Sequence, residues 1–277
     1  MIDVTREEKA TREEPATGTL RLSPQTLLGW GISLLLLITL LGGWEIGVRI
    51  NDTPRWFLPP PSAIATEMVG SRSLLLSHTW TTLQEVLIGY FLALAVGIGT
   101  ALVIASSSIA ERVVYPVIVA SQAIPIVALA PILLIWFGFG LTPKIIVVVL
   151  LCFFPIAVNM ADGLRNADRD AINLLRSMGA DRWQILRMIR IPSSLPFLVS
   201  GARVAAAVSV IGAIVGEWVG ASSGLGYLMT RAASQFLTAR LFAAVAISAV
   251  IGITLFAAVA LIGRWLVPWE GEEEQQR

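Results

Sequence analysis

The stretch GLRNADRDAINLLRSMGADRWQILRMIRIPSS, residues 163–194, decides how the whole chain reads. It is the one long polar interruption between apolar spans, and it carries Arg165, Arg169, Arg176, Arg182, Arg187 and Arg190. In its first half Ala171, Leu174, Leu175 and Met178 fall at i, i+3, i+4 and i+7, which is one face of a helix. Arg169, Asp170, Asn173, Arg176 and Ser177 make the other face. Gly179 follows, where a left-handed residue ends a helix, and Asp181 is placed to cap a second helix over DRWQILRMIRI. Ile191-Pro192 is expected to close that helix, with Ser194 and Pro196 starting the next span. The pattern is helix, glycine turn, helix and a return to the membrane. A membrane protein that keeps such a knob presents it to a soluble partner or lays it on the anionic inner leaflet.

The rest of the chain is apolar enough to live in lipid. Of 277 residues, 56% are hydrophobic and 14% charged, against about 25% charged in soluble domains. A span needs about 20 mostly apolar residues, and six such stretches can be placed, at 27–49, 80–105, 113–137, 143–162, 195–220 and 241–266. The expected fold class is an all-α membrane protein. Residues 1–26 and the acidic 267–277 read as tails flanking a transmembrane domain over 27–266. Arginines of the 163–194 loop, with Arg6, Lys9, Arg12 and Arg21 of the N-terminal tail, put both on one side, and the positive-inside rule makes that side cytoplasmic.

Between the first two spans, Pro59, Pro60 and Pro61 favour an extended turn, with Ser62 as N-cap of a short surface helix. The glycine-interrupted segment 220–240 reads as a half-inserted or surface helix. One cysteine, Cys152, and one histidine, His78, leave no disulfide, no metal-ligand set and no catalytic cluster. Cys152 reads as a small core residue and His78 as a surface residue. No Gly-rich loop ending in Lys-Ser/Thr is present, so the chain is not expected to bind ATP; no feature points to nucleic acid.

Ionisable residues inside spans are functional candidates by default. Glu45, Lys144 and Asp162 lie near span ends, where snorkelling explains them, and Glu85 reads as interfacial. Arg203 and Glu217 share nearly one face of the fifth span, about 21 Å apart along the axis, and are candidates for lining a path for an anionic solute. Pro125 and Pro131 kink the third span and leave gaps that suit the same path.

The loop's spacing resembles the signature loop of binding-protein-dependent ABC importer permeases. Asn173, Leu174 and Leu175 stand where that family has Glu-Ala-Ala, a real departure, while Gly179, Ile189 and Pro192 fall in register and Ile191 stands for Leu. LPPPSAI at 58–64, IPIVALAPILLIWFGFGLTPK at 124–144, GLR at 163–165 and GLGYL at 224–228 resemble the nitrate, sulfonate and taurine branch. The resemblance covers about residues 55–266. It implies a type I ABC importer permease fold of the bacterial inner membrane, with about six transmembrane helices and a cytoplasmic coupling helix. It also implies a second, identical permease copy, a cytosolic ABC ATPase dimer that binds the ATP, and an extracytoplasmic solute-binding protein. Coupling would run through Asn173, Leu174, Leu175, Arg176, Met178, Gly179, Ala180, Asp181, Ile189 and Pro192. The implied solutes are nitrate, sulfonates, taurine or pyrimidine precursors. The competing reading is a scaffold or signalling protein whose basic hairpin binds lipid or another partner.

Overall fold

The computed structural model describes residues 24–268; the expected tails at 1–23 and 269–277 lie outside them. The chain falls into two units, residues 1–47 and 48–277. In chain order the helices are α1 (Pro24–Ile50), α2 (Pro61–Gly70), α3 (Arg72–Ser106), α4 (Ser108–Ser121), α5 (Ile126–Phe137), α6 (Leu141–Arg165) and α7 (Arg169–Ser177). After these come α8 (Arg182–Ile185), a π-turn (Leu186–Arg190), α9 (Ile191–Trp218), α10 (Leu225–Ser234) and α11 (Thr238–Leu266). Among the described residues, five helices are long and apolar enough to cross a membrane, or six when the bent pair α4–α5 counts as one span.

The core is the packing of α6 between α3 and α9. Val86 and Tyr90 of α3, Val148, Cys152 and Ile156 of α6, and Ala205, Ala206 and Val210 of α9 form one buried cluster. The Tyr90 hydroxyl donates to the Ala202 carbonyl at 3.2 Å, and the Cys152 thiol to that of Ala205 at 3.3 Å. Small residues let the backbones approach, which is how helices associate where lipid removes the hydrophobic drive. Gly201 of α9 faces the Pro155 carbonyl of α6 so closely that a Cβ there would overlap it. On α3, a Cβ at Gly89 would sit 2.6 Å from Val148.

Three local expectations are corrected. The third span is not continuous: α4 and α5 meet at 95°. Gln122, Ala123 and Ile124 finish α4 with tight i→i−3 bonds, and Pro125, extended at φ −69° and ψ 109°, begins α5. Proline offers no donor and pushes Ile124 out of helical geometry, so the break falls there; Pro131 sits inside α5. Second, Ser62 is not a cap, because Pro61 takes the first helical position, where its missing N–H costs nothing. Third, Ile191-Pro192 does not end a helix: Arg182–Trp218 is one helix. The ladder switches to i→i−5 just before the proline, with Ile191 N–H on the Leu186 carbonyl, and the π-turn absorbs the lost bond. On α7, Ile172 and Leu175 pack inward, while Leu174 and Met178 stay exposed.

Two ends of the bundle can be named by what they carry. The loop end has the close of α3 and α6 and the start of α9. The far end has α2, α10 and the start of α11, where Arg240 binds Glu67 at 2.8 Å and reaches Ser71. Partial burial raises the pKa of Glu67, but its bonds to Ser71 and Arg240 outweigh that and hold it below the ordinary carboxylate value. That contribution to stability is complete above the ordinary carboxylate range and is lost as pH falls through the lowered pKa.

Gly201→Leu should destabilise the bundle by at least the about 1–3 kcal/mol of an overpacked core, because the Pro155 carbonyl cannot rotate away. Gly99→Ala, with nothing within 4 Å of its Cβ, should be neutral or gain about 0.5–1 kcal/mol. Thermal unfolding of the two variants in one detergent checks both.

Candidate functional site

The polar loop folds as a self-supporting knob. Asp168 caps α7 by accepting from Asp170 N–H at 2.9 Å. Gly179 ends it at φ +82°. Its N–H bonds the Arg176 carbonyl, and Ala180 N–H bonds that of Leu175, the paired closure that needs a left-handed residue between. Asp181 and Gln184 then form a reciprocal capping box at 2.7 and 2.8 Å. Ala167, Ile172 and Ile185 make a small core beneath, with Leu175, Ala180 and Ile189 against it. Several large apolar side chains remain outside: Leu174 is 63% exposed, Met178 74%, Trp183 66% and Met188 62%. Asn173 and Arg176 are also exposed.

At the base of the knob Arg165 bonds Glu111 at 2.9 Å, approaches Asp162 at 3.9 Å and lies over the Tyr115 ring. Asp162 is therefore partnered, and the clamp ties the start of α4 to the end of α6.

The far end holds a sealed polar cluster. Lys144 of α6 bonds Glu85 of α3 at 2.7 Å, with Glu85 fully buried. Glu217 of α9, also buried, accepts from the Thr82 hydroxyl at 2.6 Å and from Gly226 N–H. Leu225 N–H donates to Thr82 Oγ1 at 2.8 Å, and Gly224 N–H to His78 Nδ1 at 2.9 Å. Three successive N–H groups at the start of α10, which a helix leaves unsatisfied, are thus taken by side chains of α3 and α9. Gly224 stands at φ +112° against the Glu217 carboxyl, a place for no other residue.

This corrects the reading of the ionisable residues. Glu85 and Lys144 are buried inside the protein and paired with each other rather than extended to solvent. Glu217 is buried, and its carboxylate holds the start of α10. His78 is half-buried and functional in the cap. Arg203 lies between α9 and α11 beside Gly263, with its Nε buried and unpartnered. Arg203 and Glu217 are not brought together: Arg203 lies beside Gly263, and Glu217 bonds Thr82 and Gly226. The roles of Thr82 and His78 went unread because they depend on contacts between residues more than a hundred positions apart; the signal was the presence of two acids and a lysine inside spans. Among the described residues no three His, Cys, Asp or Glu side chains converge on a metal site.

Residues 86–270 match the family described as binding-protein-dependent transport system inner membrane component. The chain belongs to this family. It is 40% identical over 240 residues to a formylaminopyrimidine transport permease of Halalkalibacterium halodurans, covering 86% of this chain and 96% of that one. It is 38% identical over 262 residues to a riboflavin transport system permease of Chloroflexus aurantiacus, covering 94% and 97%. A taurine transport system permease of Escherichia coli is 27% identical, covering 87% and 90%. Among solved structures, an inward-facing methionine ABC transporter aligns with a TM-score of 0.63 at 21% identity, covering 71% of this chain and 98% of that one. That likeness establishes the type I importer permease fold. As an ABC importer permease, the chain is a multi-pass membrane subunit with no catalytic role, and ATP is hydrolysed by a separate subunit.

Lys144→Met leaves Glu85 buried without its cation and should cost about 3–5 kcal/mol. The double variant Glu85→Gln, Lys144→Met should recover most of that loss. A double-mutant cycle of unfolding midpoints in detergent measures it; additive losses would show that the pair is not coupled.

Proposed function

We propose that the 163–194 loop is the coupling element of this permease and faces the cytoplasm, within a transmembrane domain over 27–266 flanked by cytoplasmic tails. The supporting observation is the knob's division of labour. Ile172, Ile185 and Leu175 stabilise it from within, while Leu174, Met178, Trp183 and Met188 stay exposed for a partner. Such a surface suits the cleft of a cytosolic ATPase: at about 25 cal/mol per Å² of apolar area, a few such side chains supply several kcal/mol before association costs. Gly179, Ala180 and Asp181 hold the turn, and Ile189 and Pro192 join it to α9 without a break, so a push on the knob moves a whole span.

The remaining assignments follow from this reading. A second copy of the chain completes the pathway, and an extracytoplasmic binding protein delivers the solute. The broken segment α4–α5, with Pro125 at its bend and Pro131 beyond, suits that interface, since Ile135, Trp136 and Phe139 are each more than 70% exposed. The solute we favour is a small nitrogen heterocycle of the pyrimidine-precursor or flavin kind, over nitrate, taurine or a sulfonate. Relatives named for formylaminopyrimidine and riboflavin are 40% and 38% identical, against 27% for the taurine permease.

Native mass spectrometry of the purified complex should show two permease copies with two ATPase subunits. Leu174→Glu with Met178→Glu should remove the ATPase and leave the permease folded. Gly179→Val, strained at positive φ by roughly 1–2 kcal/mol, should retain hydrolysis and lose transport. An intact ATPase complex in the double glutamate variant would refute the docking surface.

A further inference from the structure

We propose that the cavity between the end of α3 and the α8–π-turn segment binds the headgroup of an anionic phospholipid. The cavity is about 630 Å³ and is lined by Leu102 and Val103 on one side and by Arg176, Arg182, Trp183 and Arg190 on the other. A second cavity of about 460 Å³ shares Arg176 and Arg190 and adds Arg165 and Arg169.

The charge there is uncompensated. Among the described residues no carboxylate pairs with Arg176, Arg182 or Arg190. Glu111, which faces the second cavity, is held by Arg165, and Asp181 is occupied in its capping box. Arg190 spends Nη1 on the Ala105 carbonyl at 3.3 Å, while its buried Nε has no partner. Guanidinium groups arrayed without acids are a phosphate site in chemical terms, because each offers a planar fork of donors to phosphate oxygens.

The walls choose a lipid over a free anion. Leu102 and Val103 lie in the last turns of a membrane-spanning helix that ends at Ser106, the level at which headgroups meet hydrocarbon. Val103 is 54% exposed, which leaves an apolar rail for an acyl chain beside the arginines. Basic clusters at this depth draw anionic lipids. The site shares Arg176 and Trp183 with the proposed coupling surface, while Leu174 and Met178 do not line it.

The full chain with its accompanying subunits can be reconstituted in nanodiscs of phosphatidylcholine with phosphatidylglycerol, released into mild detergent and weighed by native mass spectrometry. Wild type should retain phosphatidylglycerol in preference to phosphatidylcholine. Arg182→Gln should lower its affinity about fivefold, and Arg182→Lys should keep most of it. Val103→Trp, which fills the apolar rail with every arginine intact, should lower it too, and excess inorganic phosphate should not displace the lipid. Neither Arg182 nor Val103 makes a side-chain hydrogen bond whose loss would unfold the knob. Equal retention by wild type and both variants overturns the site. Displacement by phosphate with no effect of Val103→Trp overturns the lipid and leaves an anion pocket.

Discussion

Lys144 and Glu85 meet at 2.7 Å between α6 and α3, both withdrawn from solvent. Inside a bilayer that contact is a constraint before it is a source of stability. Neither charge has water to return to, so the two helices cannot slide apart without stranding one of them. Glu217 extends the constraint to α9, and through Thr82 and Gly226 to α10. Gly216 brings the α9 backbone against Lys144, so the cluster and the tight helix packing reinforce each other. Four helices are registered at one end by a handful of polar atoms.

From that anchor the geometry carries to the other end. Arg182–Trp218 is one helix of 37 residues, about 55 Å at 1.5 Å per residue. It runs from the knob to Glu217 without a hinge, although it contains Pro192 and Pro196. The π-turn at 186–190 is what makes this continuity compatible with proline. A knob on a flexible tether could bind a partner but could not move a span; this one is built into the span.

Most of the architecture was legible from local pattern. Gly179 and Asp181 announced a turn and a cap because those motifs are satisfied within a few residues. The apolar stretches announced spans because lipid demands length. Other features escaped for physical reasons. Pro125 signals a weakened helix, yet whether it kinks or breaks depends on what packs beside it. Pro192 reads as a stop, but the ladder has a second register that no composition reveals. The burial of Glu85, Lys144 and Glu217 is a tertiary fact, since which neighbours surround each of them depends on helices far apart in sequence. On α7, the exposed Leu174 and Met178 sit at helical spacing like core residues. Only the packing of Ile172 shows that the core lies on the neighbouring stripe.

The two ends of the bundle are held by interactions of different strength, and that difference bears on how a permease of this kind can move. At the far end the charges are buried, and separating them costs several kcal/mol. At the loop end the clamp of Arg165 with Glu111 and Asp162 has side chains about 36–45% exposed, and exposed pairs contribute roughly 0–1 kcal/mol. Among the described residues, that clamp is the ion-pair tie between α4 and α6. α4 itself buries little beyond Ile118, and α5 joins it through a bend of 95°. Segments with few buried contacts and weak ties are where a fold rearranges at least cost. The rigid body is therefore α3, α6, α9 and α10, and the compliant part is α4–α5. On the proposed coupling role, a force on the knob would enter this rigid body directly through α9, with the broken span as the element that yields against it.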